Sequence, residues 1–186
     1  LMSEVLEGVE PRLLWKHFKE LSKIPRCSKN EEAAAQYVIS VAEELGLEYH
    51  QDVVGNVMVI VPPTEGREDD PITIIQGHLD MVCEKEDGYE HDFTKDPIIL
   101  EQDGKWLTAR GTSLGADNGV GVCTGLALME SGGISHGPLE CLFTIDEETG
   151  LTGAQQLTED FVKGRRLLNL DSEEDGSVYI GCAGGL

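Results

Sequence analysis

The chain is most constrained by a set of short apolar runs, too brief for helices of their own, set between longer stretches of helical periodicity. The runs are NVMVIVP from Asn56, ITII from Ile72, PLECLFTI from Pro138, RRLLNL from Arg165 and SVYIG from Ser177. PRLLWKHFKELSKI from Pro11 carries apolar residues at helical spacing with proline in the first turn. Residues 31–45 are alanine-rich and periodic, with Gly46 as a C-terminal stop. Residues 120–129 are small and apolar before SGG, and GLTGAQQL opens a further helix. Alternation of this kind predicts an α/β fold, a layered sandwich with a mainly parallel or mixed sheet flanked by helices. At 186 residues and 40% hydrophobic content the chain is long enough for one domain with a sizeable core. It shows no internal repeat, low-complexity segment or linker.

Residues 85–103 read as an acidic loop interrupted by PIIL, with His91 between Glu90 and Asp92 as a solvated side chain. His17 is expected on the exposed face of the first helix, His50 just before a strand and His136 in a turn.

Thirty-five Asp and Glu against 14 Lys and Arg give a formal charge of −21. Such a field repels phosphate backbones and anionic headgroups, so neither nucleic acid nor a membrane surface is an expected partner. Cys27, Cys83, Cys123, Cys141 and Cys182 are odd in number and never spaced C-x-x-C. They read as reduced thiols of a cytoplasmic protein. No apolar run approaches the ~20 residues of a membrane span, and the N-terminus lacks a basic-then-apolar export pattern. Leu1 precedes Met2, and Met2 is the expected natural start.

In open α/β sheets ligands bind beyond the carboxyl ends of strands, so polar groups directly after apolar runs carry the functional signal. GHLDMV brings His78 and Asp80, GTSLGADNGVG brings Asp117, FTIDEETG brings Asp146, Glu147 and Glu148, and LLNLDSEE brings Asp171. Each carboxylate alone reads as a cap or a solvated loop residue. Gathered at one sheet edge, they would repel one another unless cations or protons held them together. Imidazole with carboxylate oxygens suits zinc, with cobalt or manganese as other divalent choices. Asp80, two residues beyond His78 on an extended segment, can receive the other ring N–H and orient the imidazole. The glycines around Asp117 also suggest a nucleotide-binding turn. They lack the G-x-G-x-x-G spacing, however, and Asp117 would occupy the place of a pyrophosphate.

These four motifs, in this order, resemble those of the dizinc exopeptidases that include carboxypeptidase G, the carnosinases and the bacterial dipeptidases; the likeness runs from about Leu6 to Gly185. The resemblance implies a zinc-peptidase catalytic domain with two zinc ions, acting on dipeptides of the Xaa-His type, with homodimerisation left open. It assigns one metal to His78 and Asp171, a bridging role to Asp117, and the second metal to Glu148. Asp80 would orient His78 and Glu147 would act as general base. It also implies a lid domain and a later segment that supplies a histidine to the second metal. Residues 1–186 are therefore expected to be the N-terminal part of the catalytic domain, inactive alone. The alternatives are a metal-binding module without catalysis, or another amidohydrolase or exopeptidase of the same family.

Overall fold

The computed structural model describes residues 5–172, 174 and 176–181. Helices α1 (Arg12–Leu21) and α2 (Glu32–Glu44) come first, followed by strands β1 (Glu48–Gln51), β2 (Val57–Val61) and β3 (Thr73–His78). Strands β4 (Leu100–Asp103) and β5 (Trp106–Ala109) form a separate hairpin. Helix α3 (Ala116–Glu130), strand β6 (Leu139–Thr144), the single turn α4 (Thr152–Gln155) and strand β7 (Arg166–Asn169) complete the order. The main sheet runs β1-β2-β6-β3-β7. It is mixed: β6, β3 and β7 are parallel, whereas β1, β2 and β6 pair antiparallel.

Burial explains the apolar runs. Every residue of β6 is buried, as are all but Ile60 of β2, because both faces of these central strands are covered. On one face Val57, Val59, Ile75, Cys141 and Phe143 pack with Phe18, Leu21, Val38, Val122 and Leu126 from the first three helices. On the other, Met58, Ile74 and Leu142 meet Leu157, Phe161 and Val162. Period-two alternation places Ile74, Gln76 and His78 on that second face, and Ile75 and Gly77 against α3. Helix α2 ends where Gly46 takes φ 67°, the left-handed conformation that glycine adopts most cheaply.

Several expectations fail for long-range reasons. Cys27 and Cys83 form a disulfide across 56 residues of sequence, with their Cα atoms 5.7 Å apart. An odd count cannot reveal that a bridge between Cys27 and Met81 lays the two loops side by side. Cys123 and Cys141 are free and buried, and desolvation pushes both thiols up to about 12. Cys182 lies outside the described residues. His91 is half-buried between the rings of Tyr89 and Phe93, at centroid distances of 6.3 and 4.4 Å, because aromatic residues two positions either way outweigh its acidic neighbours. His50 lies inside β1, and the acidic loop contains β4. Residues 177–181 form no strand: Val178 and Ile180 are fully or nearly fully exposed, and a strand needs a ladder partner.

His17 is buried rather than exposed. Its Nδ1 accepts from the Tyr37 hydroxyl at 2.7 Å and its Nε2–H donates to Glu130 at 3.0 Å, the tautomer that a carboxylate at Glu130 requires. Desolvation lowers the His17 pKa despite the Glu130 charge. The fold therefore holds the neutral ring. Its contribution to stability is fully present above the unfolded-state pKa of about 6.5 and declines as the pH falls through the lower folded value. Urea midpoints at pH 7.5 and 5.5 should differ less in His17→Gln than in the unsubstituted chain. An equal acid loss in both would show that His17 is not a source of it.

Candidate metal centre

Strand β3 delivers His78, 1% exposed, to the carboxyl edge of the sheet. Its Nδ1 lies 3.2 Å from Asp80 Oδ1 and 3.1 Å from the Asp80 carbonyl, so this nitrogen carries the proton in the neutral ring. Nε2 then presents its lone pair to Asp117 Oδ1 at 3.1 Å, with Glu147 Oε2 and Asp171 Oδ1 each at 3.8 Å. Asp80 is wholly buried. It accepts the Glu147 N–H at 3.0 Å, the Glu148 N–H at 3.2 Å and the Ser28 hydroxyl at 2.7 Å. One carboxylate thus fixes both the imidazole and the backbone of the paired glutamates.

The loops around these residues are held by further groups, of which only Asp146 is among the motif carboxylates. Gly115 caps α3 at φ 71°, and Asp117 follows in a first turn whose dihedrals are not helical. Asn56 accepts the Ile145 N–H at 3.1 Å and donates to the Gly153 carbonyl at 2.9 Å, closing the loop that carries Glu147 and Glu148. Glu31 accepts the Asp146 N–H at 3.0 Å, and the Asp146 carboxylate accepts the hydroxyls of Thr149 and Thr152. Arg26 is buried behind the centre, donating to the carbonyls of Leu79 at 2.9 Å, Asp80 at 3.0 Å and Gly115. Burial lowers its pKa to about 10, which leaves it charged at neutral pH. Its only sequence signal is position: it directly precedes Cys27 and Ser28 in the turn PRCSKNEE.

Burial disfavours the His78 imidazolium, yet the hydrogen bond and charge of Asp80, with the charges of Asp171 and Glu147, outweigh it and raise the pKa to about 9. Desolvation acts on Asp80 in the opposite sense, and the donors from His78, Glu147, Ser28 and Glu148 overcome it to hold that carboxyl at about 2. Glu147 and Glu148 are both raised, first by burial and then by neighbouring carboxylates. Carboxylates packed this closely call for positive charge among them, and the donor set of one imidazole nitrogen and several carboxylate oxygens fits a divalent ion.

Two trios place ligand atoms within 4.8 Å of one another: His78 with Asp117 and Asp171, and His78 with Glu147 and Glu148. Five of the seven motif residues, His78, Asp117, Glu147, Glu148 and Asp171, therefore meet at one edge, and Asp80 stands behind them against His78 Nδ1. In a third trio, Glu31, Asp80 and Asp146, each carboxylate accepts at least one of the N–H and O–H donors already described. A cavity of about 210 Å³ opens beside Glu147 and Asp171, lined by Gln76, Thr144, Leu151 and Asn169.

Over 185 residues the chain is 45% identical to the cytosol non-specific dipeptidase of Escherichia coli K12, covering 100% of this chain and 38% of that protein. The crystal structure of aminoacylhistidine dipeptidase from Vibrio alginolyticus superposes with a TM-score of 0.93 at 47% identity, over 95% of this chain and 36% of that one. A Staphylococcus aureus tripeptidase, at 22% identity, shares the fold with a TM-score of 0.72 over 88% of this chain and 44% of its own. The chain thus spans little more than a third of the length of the dipeptidases it matches. Residues 74–183, which carry all four motifs, match the peptidase family M20/M25/M40, and the chain belongs to that family.

Proposed function

We propose that this chain is the metal-binding, N-terminal part of the catalytic domain of a dipeptidase that hydrolyses Xaa-His-type dipeptides with two zinc ions. The observation that carries this reading is the position of His78 Nε2, which faces the carboxylates of Asp117, Asp171 and Glu147 in a chain of this family. His78, Asp117 and Asp171 would hold one ion, and Glu148 with Asp117 would contribute to the second. A lid domain and a further histidine ligand would lie in the part of the relatives' length that this chain does not span. The similarity to a dipeptidase named as cytosolic, and to another named for aminoacylhistidine, supports a cytoplasmic location and the Xaa-His substrate class.

The chain's own residues divide the work. Bound divalent ions would polarise the scissile carbonyl and acidify the attacking water. Asp80 holds the Nδ1 proton of His78 and so keeps Nε2 as the donor atom. Glu147, whose pKa burial raises, takes the proton of the attacking water on its carboxylate and passes it to the leaving amine. The cavity beside Glu147 and Asp171 offers room for a substrate side chain.

Calorimetric zinc titration of the 186-residue chain, alongside hydrolysis of Xaa-His dipeptides, tests the reading. We expect one tight site, by ligand count, and negligible turnover, whereas a protein of the relatives' full length turns the dipeptides over. No zinc uptake at neutral pH would remove the metal reading. Uptake without turnover at full length would leave a binding module.

A further inference from the structure

We infer that Asn118 is a positioning residue: its carboxamide is wedged into the β3–β7 ladder and sets the gap between His78 and Asp171. This rests on the proposed metal reading for its purpose, though the wedge itself is a matter of hydrogen bonds. The parallel pairing of β3 with β7 ends at Gln76 opposite Asn169, and the Leu170 N–H donates to the Gln76 carbonyl at 2.9 Å. In a parallel ladder the next bond would run from the His78 N–H to the Leu170 carbonyl. Asn118 stands between those two groups. Its Oδ1 accepts the His78 N–H at 3.1 Å, and its Nδ2 donates to the Leu170 carbonyl at 2.7 Å and to Asp171 Oδ1 at 3.4 Å.

A primary amide is suited to this place because it offers a donor and an acceptor on one planar group, as the missing peptide contact demands. The surroundings are shaped for it. A Cβ at Gly77 or at Gly121 would collide with the Asn118 amide, so the glycines of QGHLD and ADNGVG leave the space it fills. Asn118 is buried, and nearly all such groups are hydrogen-bonded. Prising the strands apart at this point sends His78 and Asp171 out on either side of a fixed spacer, with His78 Nε2 3.8 Å from Asp171 Oδ1. Alanine at 118 lets His78 bond Leu170 directly, closing that gap. Aspartate keeps an acceptor but removes the donor and sets a second anion against Asp171.

Two measurements on the 186-residue chain decide this. In the metal-free protein, NMR couplings across hydrogen bonds should link the His78 amide nitrogen to the Asn118 side-chain carbonyl carbon. A coupling to the Leu170 carbonyl instead would overturn the wedge. In visible-absorption titrations with cobalt(II), Asn118→Ala and Asn118→Asp should each weaken binding by ~10–100-fold and alter the band envelope, the range typical of losing a partner that orients ligands. Leu126→Ala, a buried truncation further along α3, should lower thermal stability while leaving cobalt affinity and spectrum unchanged. In an Asp171→Ala background, Asn118→Ala should lose most of its effect. Equal cobalt binding by the unsubstituted chain and Asn118→Ala, or equal weakening by Leu126→Ala, would overturn the proposal alone. Cobalt refused by the unsubstituted chain would overturn the metal reading, and the proposal with it.

Discussion

Glu147→Gln, in a protein of the relatives' full length, is expected to lower turnover by at least the ~10²-fold that loss of a general base brings, while metal content stays unchanged. Glutamine keeps the shape of the side chain and leaves the backbone N–H free to bond Asp80 Oδ1, which fixes this loop at 3.0 Å. What it removes is a carboxylate able to take a proton. Burial, with the charges of Asp171, Glu148 and Asp80, raises the Glu147 pKa and makes it the better proton acceptor for a water acidified at the centre. Since Glu147 also belongs to a trio with His78 and Glu148, metal analysis is the control that separates two roles. Loss of one ion together with activity would make Glu147 a ligand, and near-normal turnover would remove it from the proton pathway.

What the sequence made legible is local, and what it hid is long-range. Strands β2, β3 and β6 show as apolar runs because central strands are covered on both faces, β7 shows as one although it is an exposed edge strand, and the residues that follow β3, β6 and β7 announce one sheet edge. Strand β1 hid because its residues Glu48, His50 and Gln51 are exposed, which leaves no apolar run to read. SVYIG has the composition of a strand, but propensity without a ladder partner does not make one. His17 and the Cys27–Cys83 pair depend on contacts with Glu130 and across 56 residues, which no local window contains. Asn118 sat inside a quoted motif, beside a candidate ligand. Its place in the ladder becomes visible only when β3, β7 and α3 are seen together.

In a protein of the relatives' full length, Asp117→Ala is expected to abolish binding of both metals, whereas His78→Ala should mainly empty one site. The geometry gives the reason in terms of lone pairs. His78 is common to both ligand trios, but its Nδ1 is engaged with Asp80 and its Nε2 has a single lone pair, so the imidazole can serve only one cation. Two cations sharing an anchor must share a carboxylate, which has two oxygens. Asp117 lies 3.1 Å from His78 Nε2, and its charge is the largest carboxylate influence on Glu148, so it is the carboxylate expected to bridge. Removing it takes a ligand from each ion and also the negative charge that lets two cations approach within about 4 Å, where their repulsion is large even at high effective dielectric. Metal analysis after gel filtration should then find close to none bound in Asp117→Ala and about one equivalent in His78→Ala. Two equivalents retained without Asp117 would move the bridge to another carboxylate, with Glu148 the next to be replaced.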